Sequence, residues 1–262
     1  MPEKFEDRLG RHPLIRRLKW WLAVILPVIA LLGWTVKDFV PMPGNGNAAT
    51  MEPPSPTSTV PFPKETGGGW GPARPTFTIQ SPAPYAVLNS ITDNPNYGDE
   101  RNFLTVVPSD KVPPAGAYKD VLKVSPGDRL TFRGYYENSA ADNFEVTAPS
   151  WLQGAAATFS YETKPTLQKA AYLSIRADNS ATIWDGVVLH SEDLFTLKYV
   201  DGTARIYNNA HSLQVGGYQF HFDDLRSADG MLLGYEVMDG RIRPGYQYDG
   251  YIYFEMEIIG AS

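Results

Sequence analysis

Two segments, VSPGDRLTFRGYYEN (residues 124–138) and IRPGYQYDGYIYFEM (residues 242–256), share one local design. In each, a Pro-Gly pair presets a tight turn, and a long run of alternating residues follows it. Alternation at period two places Tyr251 and Tyr253 on one face of a strand and Phe254 on the other. These segments therefore predict two long β-strands with chemically different faces.

Strand signals continue through most of residues 76–262, as short runs separated by Gly, Pro and Asp turns. The predicted strands are 76–79, 102–107, 121–124, 129–136, 144–147, 157–161, 172–176, 182–184, 187–190, 195–200, 203–207, 218–222, 234–237 and 251–259. Residues 165–171 instead predict a short helical turn. This pattern indicates an all-β class, and within it we predict one domain over 76–262, an immunoglobulin-like β-sandwich with extra strands.

The Pro126-Gly127-Asp128 turn, followed by a strand that ends near Asn138, resembles the repeated immunoglobulin-like domains of bacterial surface proteins. Residues 85–262 also resemble an uncharacterised actinobacterial cell-surface family. The matching landmarks are NSITDNP (89–95), YGDERNF (97–103), YENSA (136–140), IWD (183–185) and the closing strand after Gly240 and Pro244-Gly245. The resemblance implies an immunoglobulin-like fold and a cell-surface location, and it implies no activity.

A long apolar run, WWLAVILPVIALLGWTV, begins at Trp20 and ends at Val36. As a helix it spans about 25 Å, close to the ~30 Å hydrocarbon core of a bilayer. Trp20 and Trp34 suit the headgroup level at its two ends. We therefore predict a single-pass transmembrane helix over 20–37. A buried core helix is the weaker alternative, because no face of the run is polar.

Six basic residues precede the apolar run, against three acidic ones. The positive-inside rule then places residues 1–19 in the cytoplasm and the C-terminal domain outside the cell. A cleaved signal peptide is the alternative, but its apolar region is shorter, about 7–15 residues, and is followed closely by a small-residue cleavage site. We expect an uncleaved signal anchor in the cell membrane.

Residues 38–75 contain nine prolines and end near a run of three glycines, Gly67-Gly68-Gly69. Such a segment lacks the backbone donors and apolar side chains that helices and sheets need. We predict a disordered Pro/Gly-rich linker over 38–75, which separates the β-domain from the membrane.

The composition limits the partners and the cellular environment. The 262-residue chain has no cysteine, so it has neither disulfides nor a lipoprotein thiol. It has no Asn-x-Ser/Thr glycosylation site, which together with the absence of cystines favours a bacterial envelope. Residues 38–262 hold 16 Lys and Arg against 26 Asp and Glu, a net charge of −10. That charge argues against nucleic acid or anionic lipid as a partner.

The densest polar stretch lies between Asn89 and Asn102. Its carboxylates Asp93, Asp99 and Glu100 are of the type that a Ca²⁺ ion needs, although an EF-hand register fails here. The preferred interpretation is a capped turn in which Arg101 pairs with Asp99 or Glu100. Calcium at these three residues is the alternative.

Catalytic motifs are absent from the sequence: no Gly-x-Ser-x-Gly elbow, His-Glu-x-x-His helix or phosphate loop occurs. No catalytic or cofactor-binding residue is therefore assigned, and His221 is expected on the solvent side of its strand. A carboxylate pair for glycoside hydrolysis stays open, because its ~5–9 Å separation is set by the fold. Tyr251, Tyr253 and Trp151 are the candidate surface for a ligand or partner.

An anchor, a linker and a β-domain without a catalytic motif predict a membrane-anchored envelope protein. The expected role is non-catalytic, either structural or in surface interaction. A carbohydrate-binding module of the cell envelope is the alternative, and a hydrolase is the lesser alternative. The expected partners are the membrane and an envelope protein or glycan.

Overall fold

The computed structural model describes residues 68–109, 119–142 and 150–261. Its strands are β1 (Gly69–Gly71), β2 (Leu104–Pro108), β3 (Val121–Lys123), β4 (Arg129–Tyr136), β5 (Ala156–Tyr161), β6 (Thr166–Ala177), β7 (Ser180–Tyr199), β8 (Arg205–Tyr207), β9 (Tyr218–Gln219), β10 (Met231–Leu232) and β11 (Gly250–Gly260). A short helix, α1 (Phe222–Arg226), and two 3₁₀ turns (Leu213–Val215 and Tyr246–Tyr248) accompany them. The predicted all-β class is confirmed.

The described strands form one hydrogen-bonded sheet, in the order β10-β5-β6-β7-β11-β4-β2. The long strand β7 connects its parts, because it pairs with β6 and also with β1, β3 and β11 at successive positions. Only the pairing of β3 with β7 is parallel among these contacts. Strand β8 extends the sheet beside the first residues of β11.

The two repeated segments of the sequence become neighbouring strands, β4 and β11. They pair antiparallel from Gly250 opposite Tyr136 to Glu257 opposite Arg129. The turn before β4 has Gly127 at φ +91°, a conformation that favours glycine, and Asp128 accepts a hydrogen bond from the Ser125 backbone N–H at 2.7 Å. Both predicted strands are confirmed.

One face of the β4–β11 pair forms the centre of the hydrophobic core. The rings of Phe132 and Phe254 stack with centroids 5.3 Å apart, and Phe159 of β5 packs edge-on against Phe254 at 4.7 Å. Gly134 makes this approach close, because a Cβ there would lie 2.3 Å from Cδ2 of Leu173 on β6. All five residues are buried, so this face contributes to stability through apolar burial and packing.

Two buried asparagines form hydrogen bonds with backbone groups around the end of β4. Asn89 donates from Nδ2 to the carbonyl of Tyr135 and accepts from the backbone N–H of Glu137, both at 2.9 Å. Asn138 donates to the carbonyls of Ser150 and Ile242 at 2.7 and 3.0 Å. These side chains satisfy backbone groups where the chain leaves the strand ladder.

The described domain begins before Thr76, inside the stretch predicted as linker. Strand β1 pairs with β7, with Trp70 opposite Asp185. Local sequence carries no strand signal at β1, because glycines flank a single tryptophan there. The predicted strand at 76–79 is instead a pair of isolated bridges, Phe77 with Ile91 and Thr78 with Ser81.

The helical turn predicted at 165–171 is wrong. Most of that stretch belongs to β6, where Gln168, Lys169 and Ala170 pair with β7. Long-range pairing with β7 therefore determines the conformation, and local propensity does not. The three strands predicted at 182–184, 187–190 and 195–200 are likewise one continuous strand, β7.

The strand predicted at 218–222 is correct only at its start. Strand β9 ends at Gln219, and α1 begins at Phe222 with Asp223 and Asp224 in its first turn, where negative charge stabilises a helix. No strand forms at 234–237, and the short strand β10 precedes that stretch.

Several predictions fall on residues that the structure does not describe. The transmembrane helix from Trp20 to Val36, the linker up to residue 67 and the strand at 144–147 all lie outside the described ranges. Among residues 68–109, 119–142 and 150–261, no helix has the length and apolar character needed to cross a membrane.

Candidate functional site

Opposite the core, the other face of the β4–β11 pair carries tyrosines and an arginine. Period-two alternation brings Tyr135 opposite Tyr251 and Arg133 opposite Tyr253, with Tyr207 of β8 beside Tyr251. Tyr97 comes from the loop before β2 and lies on top of them. We name this surface the tyrosine face: Tyr97, Arg133, Tyr135, Tyr207, Tyr251 and Tyr253.

The rings of the tyrosine face form a continuous series of contacts. Tyr97 stacks on Tyr135 with centroids 4.3 Å apart and planes 19° apart. Tyr135 contacts Tyr251 at 5.1 Å, Tyr251 contacts Tyr253 at 6.2 Å, and Tyr253 meets Tyr207 edge-on at 5.5 Å. Tyr135 is buried, while the other four are half-buried. The face is thus a packed and partly exposed aromatic surface.

Arg133 adds a cation to this surface. Its guanidinium lies 5.5 Å from the ring centroid of Tyr97 and 5.8 Å from that of Tyr251, within the range of cation–π attraction. Burial raises the pKa of both tyrosine hydroxyls, and the nearby Arg133 charge opposes that rise. Both phenols are therefore neutral hydrogen-bonding groups at physiological pH.

At one end of the tyrosine face, the buried hydroxyl of Tyr135 meets two carboxyl groups. That hydroxyl lies 2.9 Å from Oε2 of Glu137 and 3.0 Å from Oδ2 of Asp249. Glu137 is also hydrogen-bonded to the carboxyl group of Glu100. We name this linear arrangement the proton chain: Glu100, Glu137, Tyr135 and Asp249.

The proton chain has three oxygen–oxygen contacts, and each one needs a proton. The phenol of Tyr135 supplies one, so the carboxyl groups must retain two more to fill all three contacts. Glu100 already accepts from the Asn94 side chain at 2.8 Å, from the Ser139 hydroxyl at 3.2 Å and from the Ile91 backbone N–H at 3.3 Å. Glu100 is therefore the terminal acceptor, and the protons reside on Glu137 and Asp249.

Burial supports this assignment. Desolvation raises the pKa of Glu137 well above its ordinary value, and its contacts with Glu100 raise it further. Desolvation also raises the pKa of Glu100, which its hydrogen-bond donors oppose. The pKa of Asp249 is raised by burial to about 7. Asp249 is thus the member of the proton chain that changes charge near neutral pH.

The candidate residues from the sequence separate into two places. Tyr251 and Tyr253 lie together on the tyrosine face. Trp151 instead stacks with Arg243, whose guanidinium lies 4.7 Å from its ring and 5.2 Å from the ring of Tyr248. The structure therefore pairs the two tyrosines and gives Trp151 different neighbours.

The stretch around Asp93 forms the capped turn that we preferred. Asn94 Oδ1 accepts from the backbone N–H groups of Asn96 and Tyr97, and Arg101 forms an ion pair with Asp99 at 2.6 Å. Asp93 accepts from the Ile79 N–H at 2.8 Å. In the part of the chain that the structure describes, no group of three or more His, Asp or Glu side chains is placed to hold a metal ion.

The three histidines in the described part of the chain lie on separate elements. His190 is exposed in β7, His221 is exposed at the N-terminus of α1, and Nε2 of His211 lies 2.8 Å from the carbonyl of Glu236. His221 is on the solvent side, as predicted. The carboxyl groups of Glu100 and Glu137 do meet, but they are buried and hydrogen-bonded to each other, which leaves no room for a glycosidic bond between them.

The proton chain was missed by sequence reasoning. Glu100 was noted only as a calcium candidate, and Glu137 and Asp249 were not singled out. Position 137 directly follows the predicted strand 129–136, and position 249 lies two residues before the predicted strand 251–259. Antiparallel pairing of those two strands places positions 137 and 249 next to each other, so a correct prediction of the pairing would have identified both residues.

Comparison with known proteins gives no relative on which to base a function: no protein-family model, curated protein or solved structure matches the chain.

Proposed function

We propose that this protein is a non-catalytic binding protein of the cell envelope, and that the tyrosine face is its interaction surface. The observation that carries the proposal is the contrast between two sites. The aromatic side chains of the tyrosine face are partly exposed, whereas Glu100 and Glu137, whose carboxyl groups meet, are buried and hydrogen-bonded to each other.

The proposed setting combines the predictions from the sequence. An uncleaved transmembrane helix at residues 20–37 holds the chain, and the linker up to residue 67 separates it from the membrane. The domain lies outside the cell and has an immunoglobulin-like sandwich arrangement. The repeated turn-and-strand design of β4 and β11 supports this arrangement, and the basic residues before the apolar run support the orientation.

The ligand that we favour is an uncharged glycan of the envelope. Tyrosine rings combine an apolar face, which packs on the C–H side of a sugar ring, with a hydroxyl that exchanges hydrogen bonds with sugar hydroxyls. Arg133 and the neighbouring Glu255 on β11 supply further donors and acceptors at the same surface. The net charge of −10 on residues 38–262 disfavours a polyanionic ligand.

Binding of soluble cell-wall polysaccharide fragments to the purified full chain tests this proposal. Tyr253→Ala removes a central ring, and we expect the affinity to fall by about 10- to 30-fold, as for an aromatic residue at the centre of an interface. Tyr246→Ala is the matched control, because Tyr246 is 44% exposed and lies in a 3₁₀ turn outside the tyrosine face. Equal losses in both variants, or no binding by the parent chain, would contradict the proposal.

A further inference from the structure

The proton chain joins three separate parts of the domain. Glu100 belongs to the loop that carries Tyr97, Glu137 directly follows β4, and Asp249 directly precedes β11. The loop is therefore held at two places: the carboxyl group of Glu100 is hydrogen-bonded to Glu137, and the ring of Tyr97 stacks on the ring of Tyr135. Any change in the proton chain acts on the strands and the loop that build the tyrosine face.

The groups around the proton chain offer it little compensating charge. Tyr97 from the loop and Tyr251 from β11 are neutral phenols beside it. The carboxyl group of Asp185 on β7 also acts on Tyr97; burial raises the pKa of Asp185 to about 7, and its Oδ2 accepts from the Leu104 backbone N–H at 2.7 Å. Two cations lie nearby. Arg133 of β4 is placed over the tyrosine rings, and Arg74 donates to the carbonyls of Asn89 and Pro72. Arg101, the next cation in the loop, is paired with Asp99.

Loss of the proton on Asp249 changes the hydrogen bonding in a definite way. With that proton in place, Asp249 donates to Tyr135, Tyr135 donates to Glu137, and Glu137 donates to Glu100. Without it, the Tyr135 hydroxyl turns to the Asp249 carboxylate, and Glu137 loses its donor. The cluster then holds two negative charges instead of one, in a region where burial makes a second charge unfavourable.

We propose that the proton chain is a pH-sensitive device: while it retains its protons it fixes the Tyr97 loop against β4 and β11, and when it loses them the loop loosens and the tyrosine face binds its ligand less well. The second half of this inference rests on the proposed function, and the first half does not. A loosened loop removes the preorganised position of Tyr97, so binding must first restore that order.

Hydrogen exchange of the full chain tests the device without any ligand. The reporters are the backbone amides of Asn94, Gly98 and Glu100, which are hydrogen-bonded within the loop. After correction for intrinsic exchange, we expect their opening to be roughly tenfold more frequent at about pH 8.5 than at about pH 5.5, while amides of β6 and β7 stay unchanged.

Two substitutions separate the titration of Asp249 from the rest of the proton chain. In Asp249→Asn the amide donates to Tyr135 at every pH, so the loop amides should be equally protected at both pH values. In Glu137→Gln the amide donates to Glu100 and accepts from Tyr135 while Asp249 still titrates, so this variant should keep the parent's pH response. Asp201→Asn, in an exposed turn, is the control and should behave as the parent chain.

The outcomes separate the two proposals. Loop protection that is the same at both pH values in the parent chain, or a pH response that persists in Asp249→Asn, would overturn the pH-sensitive device. If the loop responds as expected but polysaccharide fragments do not bind at any pH, the device stands and the proposed ligand is wrong.

Discussion

The two faces of the β4–β11 pair are built by the same strands and serve different purposes. On one face, Phe132 and Phe254 stack in a buried apolar layer. On the other, Tyr251 and Tyr253 line a partly exposed surface that ends near the buried carboxyl groups of Glu100 and Glu137. The difference shows that one strand pair can be fixed by apolar packing on one side and still leave its other side free for polar and aromatic chemistry.

The largest expected effect comes from the apolar face. Phe254→Ala should lower the free energy of unfolding by about 3–5 kcal/mol, because a cavity forms among three packed rings. Tyr253→Ala, one residue away on the opposite face, should lower it by only about 1 kcal/mol, because its ring is already half in solvent. Urea denaturation of the full chain measures both. Similar losses in the two variants would remove the distinction between the faces.

The next effect comes from the carboxyl end of the tyrosine face. The pKa of Asp249 is raised by burial from 3.8 to about 7, so its contribution to stability is complete below about pH 4 and is lost as the pH rises to about 7. Asp249→Asn removes that loss. At about pH 8 the variant should be more stable than the parent by at most about 4 kcal/mol, and near pH 4 the two should agree.

Thermal unfolding across this pH range measures the Asp249 effect. Asp201→Asn again serves as the control and should leave the parent's pH profile unchanged. A parent chain that becomes more stable between about pH 4 and about pH 7, with no change in slope in Asp249→Asn, would contradict a protonated Asp249.

A smaller effect belongs to the cation on the tyrosine face. Arg133→Gln removes the charge near two rings and should lower stability by about 0.5–1 kcal/mol. Urea denaturation of the full chain measures this loss. Arg241→Gln is the control, because that guanidinium pairs with Asp239 and its side chain is 60% exposed, and it should leave stability unchanged. Equal losses in the two variants would contradict a stabilising contact between Arg133 and the rings.

The smallest effect is expected away from both faces. Lys123 and Glu192 form an ion pair at 2.6 Å, but their side chains are 71% and 82% exposed. Solvent and salt screen such a pair, so Lys123→Ala should not change stability measurably. A clear loss of stability that disappears in high salt would show that surface charge matters more here than packing.

The strands with strong local signals were predictable from the sequence. A Pro-Gly turn and unbroken alternation placed β4 and β11 almost to the residue. The β6 and β7 strands were harder, because Gln168 and Lys169 have no strand preference of their own and extend only through pairing with β7. The alternating pattern of the sequence extends to Phe222, but the chain begins a helix there, with Asp223 and Asp224 in the first turn.

The candidate site was predictable only in part. Tyr251 and Tyr253 followed from alternation within one strand, which is local information. The proton chain joins positions 100, 137 and 249, which are far apart in the sequence and carry no shared motif. The pairing of β4 with β11 brings Glu137 and Asp249 to the hydroxyl of Tyr135, and the return of the loop over the two strands brings Glu100 to Glu137.

The central claim, that the open face of the β4–β11 pair is the binding surface, is tested most directly by NMR of the full chain with labelled tyrosine rings. On addition of cell-wall polysaccharide fragments, we predict that the signals of Tyr207, Tyr251 and Tyr253 shift together, while those of Tyr246 and Tyr248 do not move. Shifts confined to Tyr248, beside Trp151 and Arg243, would place binding elsewhere and contradict the account.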